Sequence, residues 1–200
     1  QNIFAMKLIS GLIWIILISG VWFSAVKSPA ILTESEQIAL QATFQHEKMA
    51  HDASQVFYNK WQQPVFKRIA ANEQAQLQAM HILLERYQDN EERATDESWQ
   101  NFYKNTIENG LGSKTEALRA AALIEETTIR NIRKAKHLCA DRKDIAHVCE
   151  SLMRASRNHL RVLARMLEAR RAAYSPQILT AAEWESIVNS EQEHQQAIAN

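Results

Sequence analysis

The chain has 200 residues, enough for one domain of ordinary size plus appendages. Its 23 basic and 23 acidic residues cancel, so no global field draws nucleic acid or an acidic substrate to it. Four Gly and three Pro among abundant helix formers point to an all-α fold, and the sequence has neither a Gly-rich phosphate loop nor a Gly-x-Ser-x-Gly elbow.

From Leu8 to Val26 no residue is charged, and Lys7 and Lys27 bracket the run. At about 1.5 Å per residue it spans roughly 28 Å, close to the hydrocarbon thickness of a bilayer. Trp14 lies inside it, and Trp22 and Phe23 lie near its end, where aromatic rings suit the membrane interface. A single transmembrane anchor over residues 1–27 is therefore expected, followed by a linker over 28–33. The rival reading is a secretory signal peptide starting at Met6, with small residues Ser24 and Ala25 near its end. The apolar run is long for such a peptide, which favours an anchor that is kept. One lysine on each side gives no charge bias for orientation. The signal-like start argues for an exported domain, periplasmic in a Gram-negative cell.

Thr33-Glu34-Ser35-Glu36 reads as a capping box, opening a helix from about Glu34 to Lys60. Leu40, Phe44, Glu47, His51, Ser54 and Tyr58 share one face of it. Pro64 suits the first turn of a second helix that ends near Asp89. Its stripe is Phe66, Ile69, Glu73, Gln76, Met80, Leu84 and Tyr87. A polar crossover follows, with a short helix expected from Ser98 to Glu108 before Asn109-Gly110. Ser113 and Glu116 form a second box, opening a helix to about His137 with Leu118, Ala122, Glu125, Ile129 and Ile132 inward. A fourth helix of about 30 residues should end at Pro176, with the stripe Val148, Leu152, Ser156, His159, Leu163 and Met166. Thr180 and Glu183 form a third box, opening a short terminal helix. Two helical hairpins joined by a longer crossover describe a ferritin-like four-helix bundle over residues 34–175, with a C-terminal helix and tail over 176–200.

Each long stripe carries a carboxylate or imidazole near its middle: Glu47, Glu73, Glu125 and His159. A lone buried carboxylate is costly, so four such positions at one depth imply mutual pairing or a metal. Ferritin-like dimetal sites take one Glu from each of two helices and Glu-x-x-His from each of the other two. Carboxylates with imidazole suit iron or manganese. Here Glu73 is followed by Gln76 where that pattern has His, and Ser156 stands where it has Glu. His51, one turn from Glu47, is a candidate fifth ligand. The alternative is a metal-free polar layer sharing protons. Helical phase points Glu126 elsewhere, toward solvent.

Cys139 and Cys149 flank the turn between the third and fourth long helices, where a disulfide could clamp the hairpin of an exported domain. Alternatively, His137-x-Cys139 and His147-x-Cys149 supply four zinc or copper ligands. Residues i and i+2 on a helix diverge by about 200°, which favours the disulfide.

The stretch Glu47-Lys48-Met49-Ala50-His51-Asp52, with Trp61, Phe66, Ile69-Ala70 and Asn72-Glu73-Gln74, resembles an uncharacterised ferritin-like family of short bacterial and archaeal proteins. So do Ala122-Leu123-Ile124-Glu125-Glu126 and Ser156-Arg157-Asn158-His159-Leu160-Arg161. The resemblance covers roughly residues 35–170. It implies the ferritin-like fold, a His at the position of Gln76 and an acidic residue at that of Thr128. Ser156 conforms to that family, although it departs from ordinary ferritins. Two expected ligands are therefore missing.

Three functions follow. The anchor and the reduced ligand set point first to a non-catalytic accessory subunit of a larger membrane complex, with the bilayer and other integral membrane subunits as partners and no nucleic acid. The second is a membrane-tethered dimetal oxidase or peroxide-handling enzyme using Glu47, Glu73, Glu125 and His159. The third is a periplasmic metal-binding protein.

Overall fold

Thr33 opens the first helix reciprocally with Glu36. The Thr33 hydroxyl accepts from the Glu36 N–H at 3.3 Å, and the Glu36 carboxylate accepts from the Thr33 N–H at 2.7 Å. The structure, a computed structural model, describes residues 31–89 and 97–194. Six helices and no strand occur among them: α1 Glu34–Trp61, α2 Pro64–Arg86, α3 Glu97–Gly110, α4 Lys114–Leu138, α5 Lys143–Glu168 and α6 Ala181–Val188. The expected anchor over 1–27 and the first half of the linker, 28–30, lie outside the described residues. No helix among those described is long and apolar enough to cross a membrane.

The helices stop for backbone reasons more than for proline. α1 ends where Gln62 turns left-handed, at φ 53°, and α2 ends just before Gln88, at φ 54°. The fourth long helix is shorter than expected, because Arg171 adopts φ 54° and the Ala172 N–H reaches back to the Leu167 carbonyl at 3.0 Å. That 6→1 bond is a Schellman closure, formed five residues before Pro176. Thr180 and Glu183 form the third capping box as expected, whereas Ser113 caps the Glu116 N–H from one side only.

α1 packs against α2 and α4, and α5 packs against α4 and α2, so the four long helices surround one interior. α3 lies against α4 and touches α1. Gly110 ends α3 where a Cβ would meet the Phe57 ring at 2.3 Å, so only glycine permits this approach. Arg142, in the α4–α5 turn, donates to both Glu36 oxygens at 2.7 and 2.9 Å, tying that turn to the start of α1.

The apolar interior is divided in two. One cluster includes Phe57, Phe66, Ile69, Leu118 and Leu163; the other includes Leu40, Met80, Leu84, Ile132 and Leu152. On each long helix the residues between the clusters are polar and buried: Thr43 and Glu47, Glu73 and Gln76, Glu125 and Thr128, Ser156 and His159. All four helices contribute at the same level because each buries one face at the i, i+3, i+4 spacing.

Candidate metal centre

Glu73 from α2, Glu125 from α4 and His159 from α5 converge, with one ligand atom from each lying within 4.8 Å of the others. His159 Nδ1 stands 3.0 Å from Glu125 Oε1 and 2.9 Å from Glu73 Oε1. Its single hydrogen is aligned with Glu125, which leaves Glu73 Oε1 at ion-pair range without a hydrogen bond. Glu47 from α1 is fully buried in the same layer, where the Glu73 charge acts on its carboxyl. Three of the four expected residues thus lie within ligand distance of one another, with Glu47 buried beside them.

Electrostatics set their protonation. Burial pushes the Glu47 carboxyl well above the ordinary carboxylate range, and the Glu73 charge pushes it further. Burial also raises Glu125, but the His159 charge holds it to about 7. Burial would lower His159, yet the Glu125 and Glu73 charges overcome this and lift it to about 10. Without metal the centre is therefore a His159 imidazolium between Glu73 and Glu125, with Glu47 protonated beside them.

The donor set suits a hard cation. Both Glu47 oxygens, Glu73 Oε1, Glu125 Oε2, Ser156 Oγ and Thr128 Oγ1 are buried without a hydrogen-bond partner. Orphaned buried acceptors are rare in proteins and cost about 1–3 kcal/mol each. Ser156 lies beside Glu125, where its hydroxyl favours the ionised carboxylate, although no well-aligned hydrogen bond joins them. Gln76 caps Glu73 Oε2 through Nε2 at 2.9 Å. Behind the ring, Asn72 Nδ2 lies 3.2 Å from His159 Nε2, so Nδ1 is the nitrogen that faces the carboxylates.

The remaining candidates are placed elsewhere. His51 does not join the centre; it sits at the edge of the α1 face, with Nδ1 2.9 Å from Asp52 and Nε2 2.8 Å from Gln55. Cys139 and Cys149 are free thiols in the second apolar cluster, and burial pushes them up to about 11 and about 12. His137 and His147 are exposed, so these four residues form no common site.

Glu126 corrects the sequence reading most sharply. It is fully buried rather than facing solvent. Its carboxylate accepts from the Tyr174 hydroxyl and from the backbone N–H groups of Gln177, Ile178 and Leu179, the last two at 2.8 Å. The adjacent glutamates divide the work: Glu125 enters the centre, and Glu126 holds the segment between α5 and α6. Helical phase placed Glu126 on another face correctly, but nothing in the sequence showed that residues 174–179 cover that face.

The profile of a family described as an uncharacterized protein domain, DUF2202, matches residues 36–197. The chain belongs to this family. The matched span contains the four long helices, but for the first two residues of α1, and every residue of the centre. The chain is also 34% identical over 169 residues to the uncharacterized protein MJ0754 of Methanocaldococcus jannaschii, covering 81% of this chain and 91% of that one. The crystal structure titled as hypothetical protein MJ0754 superposes with a TM-score of 0.76, covering 82% of this chain and 98% of that chain. The family membership and this likeness support the fold and name no activity.

Proposed function

We propose that this family member is a ferritin-like metal-binding protein that holds iron or manganese between Glu47, Glu73, Glu125 and His159. One observation carries the reading: four buried titratable side chains from four helices meet in a layer whose oxygens lack hydrogen-bond partners. Iron or manganese there would supply redox chemistry toward dioxygen or peroxide. The residues of the chain hold the cation, exclude bulk water through the two apolar clusters, and move protons at Glu47 and His159. Elemental analysis of protein purified without chelator tests this. We expect roughly one equivalent or more of iron or manganese, whereas less than about a tenth of an equivalent of any transition metal after reloading would sink the reading.

One observation favours a second reading. The His159 ring already stands at ion-pair range of both Glu73 and Glu125, which offsets part of the cost of burying them without metal. That suits a non-catalytic accessory subunit, held to a membrane complex through the apolar run Leu8–Val26. Gentle solubilisation of native membranes separates the two readings: co-migration with integral membrane proteins supports the accessory role, and migration of a metal-loaded free monomer counts against it.

A further inference from the structure

A cavity of about 450 Å³ lies between α2 and α5, the two neighbouring long helices that pack least closely. His159 forms part of its wall, with Asn72 and Asn158 beside it, and Val65 and Ile69 give it an apolar side. It touches the centre through His159. Arg68 stands exposed on its wall.

The outer wall is Gln192, Glu193 and His194, just after α6. This segment is fastened at one side. The Glu193 carboxylate accepts from Arg157 Nε at 2.7 Å and from Arg161 Nη2 at 2.8 Å. The Glu193 N–H donates to Asn158 Oδ1 at 2.9 Å, and its carbonyl accepts from Asn158 Nδ2 at 2.8 Å. Ser190 Oγ accepts from Arg161 Nη2 at 2.7 Å. All of these anchors are on α5, in the two turns around His159, and none of these bonds reaches α2. Glu193, the one carboxylate that lines the cavity, is matched by Arg157 and Arg161 behind it, with Arg157 shared with Glu150, so Arg68 is the charge its mouth presents and favours anions over cations.

We propose that this cavity is the port through which small inorganic anions reach the His159 side of the centre, with residues 190–194 as its cover, latched to α5 by Glu193. The destination of the anions rests on the metal-centre reading; the port and its cover do not. A segment held by a few bonds to α5 alone opens far more often than the helices it covers, because local opening breaks only those bonds.

The test needs no metal. Val65 is 2% exposed and lines the cavity, so a Val65→Cys variant of the full chain reports access to it. Cys139 and Cys149 are buried, and peptide mapping assigns the label to position 65. Small methanethiosulfonates bearing a sulfonate or a trimethylammonium group are the probes. We expect the anionic reagent to label about fivefold faster or more, Arg68→Gln to erase that preference, and Glu193→Gln to raise both rates about tenfold. Arg133→Gln, which breaks the Arg133–Glu183 pair, controls for general loosening. Equal rates for the two reagents, or a Glu193→Gln rate no higher than that of Arg133→Gln, would overturn the proposal. Co²⁺ titration of the same proteins keeps the two claims apart. Anion-selective, latch-dependent labelling without Co²⁺ binding supports the port and removes the centre. Co²⁺ binding with unselective labelling removes the port and leaves the centre.

Discussion

His159 on α5 holds its Nδ1 3.0 Å from Glu125 Oε1 on α4, and that contact joins two helices through a charge. The His159 folded-state value of about 10 lies above the ordinary 6.5, so its stabilisation is complete below pH 6.5 and is lost as pH rises toward 10. Glu47 acts in the same direction, because a carboxyl held protonated by burial resists ionisation that the unfolded chain allows. The metal-free protein should therefore begin to lose stability above about pH 4.5, where Glu47 and Glu125 resist ionisation, and go on losing it above pH 6.5 through His159. Urea midpoints measured across that range check this. His159→Gln should flatten the slope and cost about 3 kcal/mol at neutral pH, since it leaves two buried carboxylates without their partner.

Metal must displace those protons. Each proton released steepens the pH dependence of the binding constant by about tenfold per pH unit. Mn²⁺ or Co²⁺ affinity should therefore rise from pH 6 to pH 8, and loaded protein should no longer weaken at alkaline pH. Calorimetric titration in buffers of differing ionisation enthalpy counts the protons. A pH-independent affinity would contradict the arrangement described for the centre.

Asn72 should set the orientation of the imidazole. With Nδ1 turned to a metal, neutral His159 carries its proton on Nε2 and needs an acceptor there. The imidazolium of the metal-free state carries that proton too, so in both states the Asn72 amide, 3.2 Å away, must turn to offer Oδ1. Asn72→Leu should weaken metal affinity about tenfold, and Asn72→Asp should strengthen it. Asn72 is exposed, so metal-free stability should shift by no more than about 0.5 kcal/mol in either variant. Metal titration beside urea denaturation separates the two effects.

Much of this was legible in the sequence. Thr33, Pro64, Ser113 and Thr180 mark helix starts with side chains that must act locally, and each starts a helix within one residue of its expected place. The stripes placed Glu47, Glu73, Glu125 and His159 on buried faces, because a helix has one period and one apolar side. Helix ends were less legible. Gln62, Gln88 and Arg171 take left-handed backbone without being glycine, so their residue type carries no signal. His51 failed because the seam of α1 runs through Glu47, Ala50, Ser54 and Phe57, half a step from the stripe read for it. The Asn72, Glu126 and Glu193 contacts join segments far apart in the chain, which no local pattern encodes.

Glu126 should matter to stability out of proportion to its invisibility in the sequence. Glu126→Ala removes the acceptor for three backbone N–H groups and the Tyr174 hydroxyl, and should cost about 3 kcal/mol. Glu126→Gln should cost less, because its amide oxygen still accepts. The Tyr174 and Trp184 rings lie 4.9 Å apart, so Trp184 fluorescence should report release of the segment. Loss of that signal ahead of helix melting in urea would show that Glu126 fastens this segment rather than the bundle.

Gln76 is the position where the ligand set departs from both the general dimetal pattern and the family resemblance. Its Oε1 is buried without a partner, while Nε2 caps Glu73. Gln76→His puts an imidazole one turn from Glu73 on the same helix face, the spacing that lets both side chains reach one cation. The metal-free variant should lose about 1 kcal/mol with the Gln76–Glu73 hydrogen bond. Metal affinity should rise, and reloaded protein should gain up to one further equivalent by elemental analysis. A gain in stoichiometry would show that the chain retains the space for a second ion and lacks only the ligand. Tighter binding at unchanged stoichiometry would mean that Gln76 borders a single-ion site, and that the two departures from the dimetal pattern have converted it.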